Sequence, residues 1–132
     1  MKKTLAPGVT GEARHRVVTE NLVSYRKPGA PNVLSTPWLL YIMETAAFQA
    51  ILPHLDPGEA SVGIGFDFEH LAATPAGETV VATATVTAVE KRRVMLDFEA
   101  RDSHEQIARG KHVRAVIDME PFQRRVQKKT GG

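Results

Sequence analysis

The sequence predicts an α+β fold in which one long helix packs against an antiparallel sheet. Two observations lead to this prediction. The segment between Pro37 and Pro53, WLLYIMETAAFQAIL, is apolar on nearly every side when it is drawn as a helix. It is followed by three segments at hairpin spacing in which apolar and polar residues alternate, at 78–90, 94–101 and 106–119. One helix followed by such strands is typical of a meander that covers the helix.

The helix start and the shorter strands follow from local signals. Thr36 before Pro37 is typical of a helix N-terminus, because the hydroxyl caps the first turn and the proline needs no N–H partner. Weaker alternation predicts a first strand over residues 12–24 and another at 61–68. Gly110 is expected to form a β-bulge in the last strand.

A helix that is apolar all round must be covered on most of its surface. One curved antiparallel sheet of about five or six strands can wrap around it, which is the hotdog arrangement. Two such sheets commonly join edge to edge, and this joining removes an exposed edge strand. We therefore expect a single hotdog domain over residues 1–132 that forms a homodimer, with a polar tail from about residue 123 that frays.

The composition excludes several classes of function. The chain has no cysteine, so disulfides, thiolate nucleophiles and cysteine-ligated metals are excluded. The formal charge of +2 is too small to indicate a nucleic-acid partner. No segment has the ~18 consecutive apolar residues of a membrane span. We expect a cytoplasmic protein with no nucleic-acid or membrane partner.

One carboxylate lies in the middle of the apolar helix. At 100° per residue, Glu44 shares a stripe with Tyr41, Phe48 and Ile51. An ionised carboxylate is costly to bury unless it is paired or hydrogen-bonded. We therefore expect Glu44 to be largely buried, with a polar partner from a strand or a second chain. Such an acid suits acid–base or nucleophilic chemistry. A structural acid that reaches solvent or one basic side chain is the alternative.

Among the five histidines, His70 has the position most typical of a functional site. It lies where a predicted strand meets a loop, and an imidazole titrates near neutral pH. The others are interpreted as surface or structural residues: His15, His54, His104 and His112. No histidine pair has helical metal-ligand spacing and there is no glycine-rich phosphate loop, so we expect neither a metal nor a cofactor.

Several motifs, taken in order and spacing, resemble the fluoroacetyl-CoA thioesterase family of hotdog hydrolases. The likeness covers nearly the whole chain. The matching residues are Thr36, Met43-Glu44, the turn LDPGE at 55–59, Gly63, His70 followed by AATP at 72–75, Arg114 followed by AVI, and the tail VQKKT at 126–130.

This resemblance implies a catalytic set of Thr36, Glu44 and His70 acting on the thioester of a small acyl-CoA. It further implies that the Gly63 N–H lies close to the thioester and that Arg114 supports the site. Glu44 would either attack directly or activate a water, and His70 would be its acid–base partner. For the phosphates of coenzyme A, basic residues are the candidates: Arg92, Arg93, Arg124, Arg125 and Lys128.

The chain departs from the family in the loop before the helix. Members that select fluoroacetyl-CoA are similar in carrying phenylalanines there, whereas residues 27–33 of this chain, KPGAPNV, contain no aromatic residue. We therefore expect an acyl-CoA of another kind as substrate. Two other functions stay open at this point: a hotdog hydratase or dehydratase that leaves the thioester intact, and a non-catalytic acyl-CoA binding or sensing module.

Overall fold

The computed structural model describes residues 1–131. The strands are β1 (Thr10–Arg16), β2 (Glu59–His70), β3 (Thr79–Glu90), β4 (Arg93–Arg101) and β5 (Gln106–Asp118). The helices are α1 (Val23–Arg26), α2 (Thr36–Ile51) and α3 (Met119–Gln127). The strands form one antiparallel sheet in the order β1-β3-β4-β5-β2. The predicted α+β architecture, one long helix against a meander, is confirmed.

Helix α2 begins one residue earlier than its sequence cap predicts. Ser35 is the N-cap, and its Oγ accepts the Trp38 N–H at 3.4 Å. Thr36 is the first helical residue, so the predicted capping role of its hydroxyl is wrong. Both side chains carry a hydroxyl, but only Ser35 has the extended backbone of a cap. The Thr36 hydroxyl is thus left free for a contact outside the helix.

The core lies between α2 and the inner face of the sheet. Alternate residues of the central strands are buried there, namely Val80, Ala82, Ala84, Val86, Val94, Leu96, Phe98 and Ala100. Gly11 of β1 lies against α2 so closely that a Cβ would overlap the Ala46 carbonyl oxygen and the Ala50 nitrogen. Only glycine lets the two backbones approach this far.

The segment before α2 differs from the predicted long strand. Strand β1 ends at Arg16, and a 3-10 turn (Thr19–Asn21) and α1 follow. The buried Asn21 explains the break, because its Oδ1 accepts the Val18 N–H at 2.9 Å and its carbonyl oxygen accepts the Ser35 N–H at 2.9 Å. A local side-chain hydrogen bond thus replaces the strand ladder.

The predicted bulge at Gly110 is wrong. Gly110 pairs in register with Phe68 and Phe98, and a Cβ at this glycine would overlap the Asp67 carbonyl oxygen and Phe68. Gly110 is needed because β2 approaches it closely, and not because the strand bulges there. In β2 the register shifts instead between Gly63 and Gly65.

The C-terminal segment begins with a helix, and the expected fraying of the tail stays a prediction. Strand β5 ends at Asp118, and α3 continues the chain with an Arg124–Glu120 ion pair of 2.8 Å one turn apart. The side chains of residues 123–131 are all exposed. Among residues 1–131, no helix is both long and apolar enough to cross a membrane.

Candidate active site

The helix carboxylate meets a cation from the sheet. Glu44 Oε2 lies 2.9 Å from Nη1 of Arg114, which is on β5. The expected polar partner is therefore confirmed. The Glu44 side chain is largely buried, as expected, but not fully: 35% of it is exposed, whereas only 4% of Arg114 is exposed. Two other residues of the Glu44 stripe are open, with Tyr41 57% and Phe48 36% exposed, whereas Ile51 at its end is buried.

Arg114 is held almost entirely by protein groups. Its Nε donates to Ser61 Oγ and its Nη2 to the Ser61 carbonyl oxygen, both at 3.0 Å. Its Nη1 also lies 3.2 Å from His112 Nε2. Burial lowers the pKa of Arg114, and the hydrogen bond to Glu44 opposes this shift. Because its hydrogen bonds run inward, Arg114 orients Glu44 rather than reaching outward to a ligand.

His112 belongs to this cluster, although the sequence indicated only a surface or structural histidine. It is 1% exposed and is stacked between Phe66, at 4.3 Å between ring centroids, and Phe98, at 5.4 Å. Its Nδ1 lies 2.8 Å from the Gly65 carbonyl oxygen. The pKa of His112 is lowered, chiefly by burial and also by the charge of Arg114. The signal in the sequence was its spacing of two from Arg114, which puts both side chains on one face of β5.

A second cluster lies at the N-terminus of α2. The Thr36 Oγ1 is 2.9 Å from His70 Nδ1, and His70 is the last residue of β2. His70 Nε2 is buried and has no hydrogen-bond partner among the described residues. Burial lowers the pKa of His70, against the opposing effect of the Ala72 main chain. A buried donor or acceptor left unpaired is costly, and a ligand group could satisfy this one.

The two clusters are separated within one chain. Thr36 and Glu44 are eight residues apart on the same helix, which corresponds to ~12 Å along its axis. The helix begins at Thr36, so no irregular segment shortens this separation. The structure therefore brings Thr36 to His70 and Glu44 to Arg114, but it does not bring the two pairs together in a single chain.

A pocket of about 530 Å³ opens beside Glu44. Its walls come from α2, β2 and β5, and they include Tyr41, Phe48, Ser61, Gly63 and Arg114. A Cβ on Gly63 would lie 2.5 Å from Glu44 Oε2, so a larger residue here would displace the carboxylate. A larger groove of about 710 Å³ crosses the outer face of the sheet, but it contains none of the candidate catalytic residues.

Two of the basic residues predicted to meet coenzyme A, Arg92 and Arg93, lie outside this pocket. Arg92 donates to Glu59 at 3.0 Å, to Asp118 at 3.3 Å and to the Val116 carbonyl oxygen at 3.0 Å. Arg93 is exposed, and because its neighbour Val94 is buried on the inner face, Arg93 faces the outer side. Their role toward coenzyme A stays a prediction. Residues 1–131 hold no cluster of three side chains suited to a metal.

A curved five-stranded antiparallel sheet packed against one long helix places the chain in the hotdog class of folds. A Thermus thermophilus member of the thioesterase superfamily superposes with a TM-score of 0.88 at 25% identity, covering 98% of each chain. A hot-dog-like protein from Thermanaerovibrio acidaminovorans has a TM-score of 0.86 at 29% identity, covering 96% of this chain and 93% of its own.

More specific matches assign the family. The model of the fluoroacetyl-CoA-specific thioesterase family matches residues 17–120. The fluoroacetyl-CoA thioesterase of Streptantibioticus cattleyicolor is 42% identical over 100 residues, 76% of this chain and 72% of that protein. A solved fluoroacetyl-CoA thioesterase has a TM-score of 0.87 at 35% identity, covering 93% of this chain and 96% of its own. The chain therefore belongs to the fluoroacetyl-CoA-specific thioesterase family and is a thioester hydrolase.

Proposed function

We propose that this protein hydrolyses the thioester of a small acyl-CoA to the free acid and coenzyme A. The observation that carries the proposal is the carboxylate of Glu44, held by Arg114 at the edge of a pocket beside Gly63. The names of the relatives support acyl-CoA as the substrate class.

The chemistry starts at Glu44. In one route, Glu44 attacks the thioester carbonyl carbon, the C–S bond breaks, and an acyl-enzyme anhydride and the coenzyme A thiolate form. Water then hydrolyses the anhydride and restores the carboxylate. In the other route, Glu44 takes a proton from a water that attacks the carbonyl. Arg114 supports both routes, because its hydrogen bond orients the carboxylate.

The carbonyl oxygen gains negative charge in either route. We assign its stabilisation to the Gly63 N–H, and removing one such donor costs ~3 kcal/mol in comparable enzymes. Gly63 lies beside the Glu44 carboxylate and adjoins the register shift in β2. A register shift of this kind commonly changes the direction of nearby backbone groups.

Thr36 and His70 act on the leaving group and the water. The lowered pKa of His70 keeps its imidazole neutral at pH 7, and its buried Nε2 lacks a partner among residues 1–131. The Thr36 hydroxyl contacts Nδ1 and fixes the ring, so Nε2 can exchange a proton with a substrate group or a water. One proton returns to the thiolate in each turnover.

The complete site forms between two copies of the chain. Within one chain, Thr36 and Glu44 stay ~12 Å apart along α2. A site shared by two copies would combine Thr36 and His70 of one copy with Glu44 and Arg114 of the other. Two features support an edge-to-edge homodimer. Strand β2 is at the edge of the sheet with Ile64 47% and Phe66 41% exposed, and the Glu44 stripe of α2 is uncovered.

Thiol release from a panel of short acyl-CoAs tests the proposal. Glu44→Gln, which keeps an acceptor for Arg114 but has no basic carboxylate, should lower kcat at least ~100-fold. The exposed Glu90, at the end of β3, supplies the matched control Glu90→Gln, which should keep wild-type activity. Acyl-CoA binding without thiol release, or full activity in Glu44→Gln, would refute the proposal.

A further inference from the structure

We propose that His112 is a positioning residue that aims the Arg114 guanidinium, and through it Glu44, by accepting a hydrogen bond as a neutral imidazole. This inference rests on the proposed function, in which Glu44 is the catalytic carboxylate. His112 is buried and does not line the pocket, whereas Arg114 does, so His112 acts on the substrate through Arg114 and not by contact.

The contacts fix the tautomer of His112. Arg114 Nη1 can only donate, so His112 Nε2, at 3.2 Å, must accept and carries no proton. The other nitrogen, Nδ1, therefore carries the proton and donates it to the Gly65 carbonyl oxygen at 2.8 Å. The two protons of Nη1 are thus divided between His112 Nε2 and Glu44 Oε2. Together with the two hydrogen bonds to Ser61, this division sets the rotation of the guanidinium group.

The surroundings of His112 keep it in this neutral form. Aromatic rings cover both of its faces, Phe66 from β2 and Phe98 from β4. The charged groups that face it are Arg114, which disfavours its protonation, and Glu44 from α2, which favours it. A proton on Nε2 would point at an N–H of Arg114 and turn the guanidinium away from the carboxylate.

Two variants separate the hydrogen bonds of His112 from its packing. His112→Phe keeps a flat ring between the two phenylalanines but removes both hydrogen bonds. His112→Gln offers an amide that can donate to Gly65 and accept from Arg114. We expect His112→Phe to lower kcat ~10- to 100-fold, the range that a small misplacement of a reacting group produces, with KM changed less than about threefold. His112→Gln should recover at least part of the loss.

A double-mutant cycle tests whether the effect passes through Arg114. In an Arg114→Met background, His112→Phe should cause no further loss of kcat, because no guanidinium is left to orient. A full additional loss in that background, or wild-type kcat in His112→Phe, would overturn the proposal. An active Glu44→Gln would instead refute the proposed function, so the two failures are distinguishable.

A measurement on the unaltered protein covers the case in which a variant fails to fold. Nitrogen NMR of histidine-labelled protein at pH 7 should show one imidazole with Nδ1 protonated and Nε2 unprotonated, and its proton contacts with the Phe66 and Phe98 rings identify it as His112. An imidazolium at His112, or a proton on its Nε2, would overturn the proposal.

Discussion

The Thr36 hydroxyl lies 2.9 Å from Nδ1 of His70, across 34 residues of sequence. This contact depends on Ser35, which caps α2 and leaves the threonine side chain free. Helix α2 thus begins with two adjacent hydroxyls that have different tasks, one for the helix and one for the imidazole.

Substitutions of Ser35 and Thr36, made separately, should affect stability and activity differently. Thr36→Val keeps the shape of an exposed side chain, so the free energy of unfolding should change by less than ~0.5 kcal/mol while kcat falls. Ser35→Ala should lower the free energy of unfolding by ~0.5–1 kcal/mol with a smaller effect on kcat, because it removes a long capping bond. Urea unfolding and thiol release on both variants measure this. A loss of stability in Thr36→Val but not in Ser35→Ala would show that Thr36, and not Ser35, caps the helix.

Mixing inactive chains tests the shared site. Thr36→Ala chains and Glu44→Ala chains are each expected to be inactive. When subunits exchange, a mixed dimer holds one intact site, so part of the wild-type activity should return. With random exchange at a 1:1 ratio, about half of the dimers are mixed and each of these has one intact site of two. The recovered activity should therefore reach at most ~25% of the wild-type rate. No recovery, with exchange verified by differently tagged chains, would place both residues in one chain's site.

Two glycines of β2 form a matched pair for substitution. A Cβ on Gly63 would meet Glu44 Oε2 at 2.5 Å, Phe66 at 3.0 Å and His112 at 3.3 Å. Gly63→Ala should therefore displace the carboxylate and abolish measurable hydrolysis. A Cβ on Gly65 would meet only Val113, at 3.8 Å, so Gly65→Ala should retain activity. Equal rates for the two variants would show that the space beside Glu44 is not needed.

Selectivity for fluorinated substrate should be weak. Residues 27–33 of the loop before α2 contain no aromatic side chain to form an apolar lid. A methylene-sized difference in an apolar pocket is worth only ~1–3 kcal/mol, and fluorine for hydrogen is a smaller change in size. The kcat/KM values for fluoroacetyl-CoA and acetyl-CoA should therefore differ by less than ~10-fold. A strong preference for fluoroacetyl-CoA would assign the selective pocket to other residues, with Trp38 and Phe66 as the candidates.

Stability should fall on the acid side of neutrality. Burial lowers the pKa of both His70 and His112, so below the unfolded-state pKa of about 6.5 the unfolded chain binds more protons than the folded one. Above that pH, these two histidines should not change the free energy of unfolding. The free energy of unfolding should decrease as the pH falls from about 6.5 through their lowered folded-state pKa values. Urea unfolding at pH 7.5 and 5.5 measures the decrease.

Variants assign that decrease to particular histidines. His112→Phe should show a smaller loss between the two pH values than the wild type, because one of the two groups no longer titrates. An undiminished loss in His112→Phe would contradict a neutral His112 in the folded protein.

The sequence predicted the helix and the meander because their signals are local. The apolar run of α2 and the alternation of β3, β4 and β5 are each visible within a dozen residues. Glu44 and His70 were identifiable for the same reason, one as an acid in an apolar stripe and the other at a strand end. Deciding between Ser35 and Thr36 as the cap required backbone geometry, since adjacent hydroxyls give the same signal.

The partners of the site residues depend on register, which local patterns do not carry. Arg114 is 70 residues from Glu44, and only the pairing of β2 with β5 and the packing of α2 bring them together. His112 was interpreted as structural because a histidine on a strand says nothing about which cation lies beside it. The open stripe of α2 was missed because an apolar helix was expected to be covered by its own sheet.

The contacts of Arg114 constrain how this family member can change over evolutionary time. One guanidinium serves Ser61, His112 and Glu44, so a single substitution at Arg114 leaves several groups unpaired at once. Lysine has one ammonium in place of the planar fork and cannot make the same set of bonds. Viable routes away from this arrangement therefore pass through combined substitutions, whereas the exposed residues of the outer sheet face can vary one at a time.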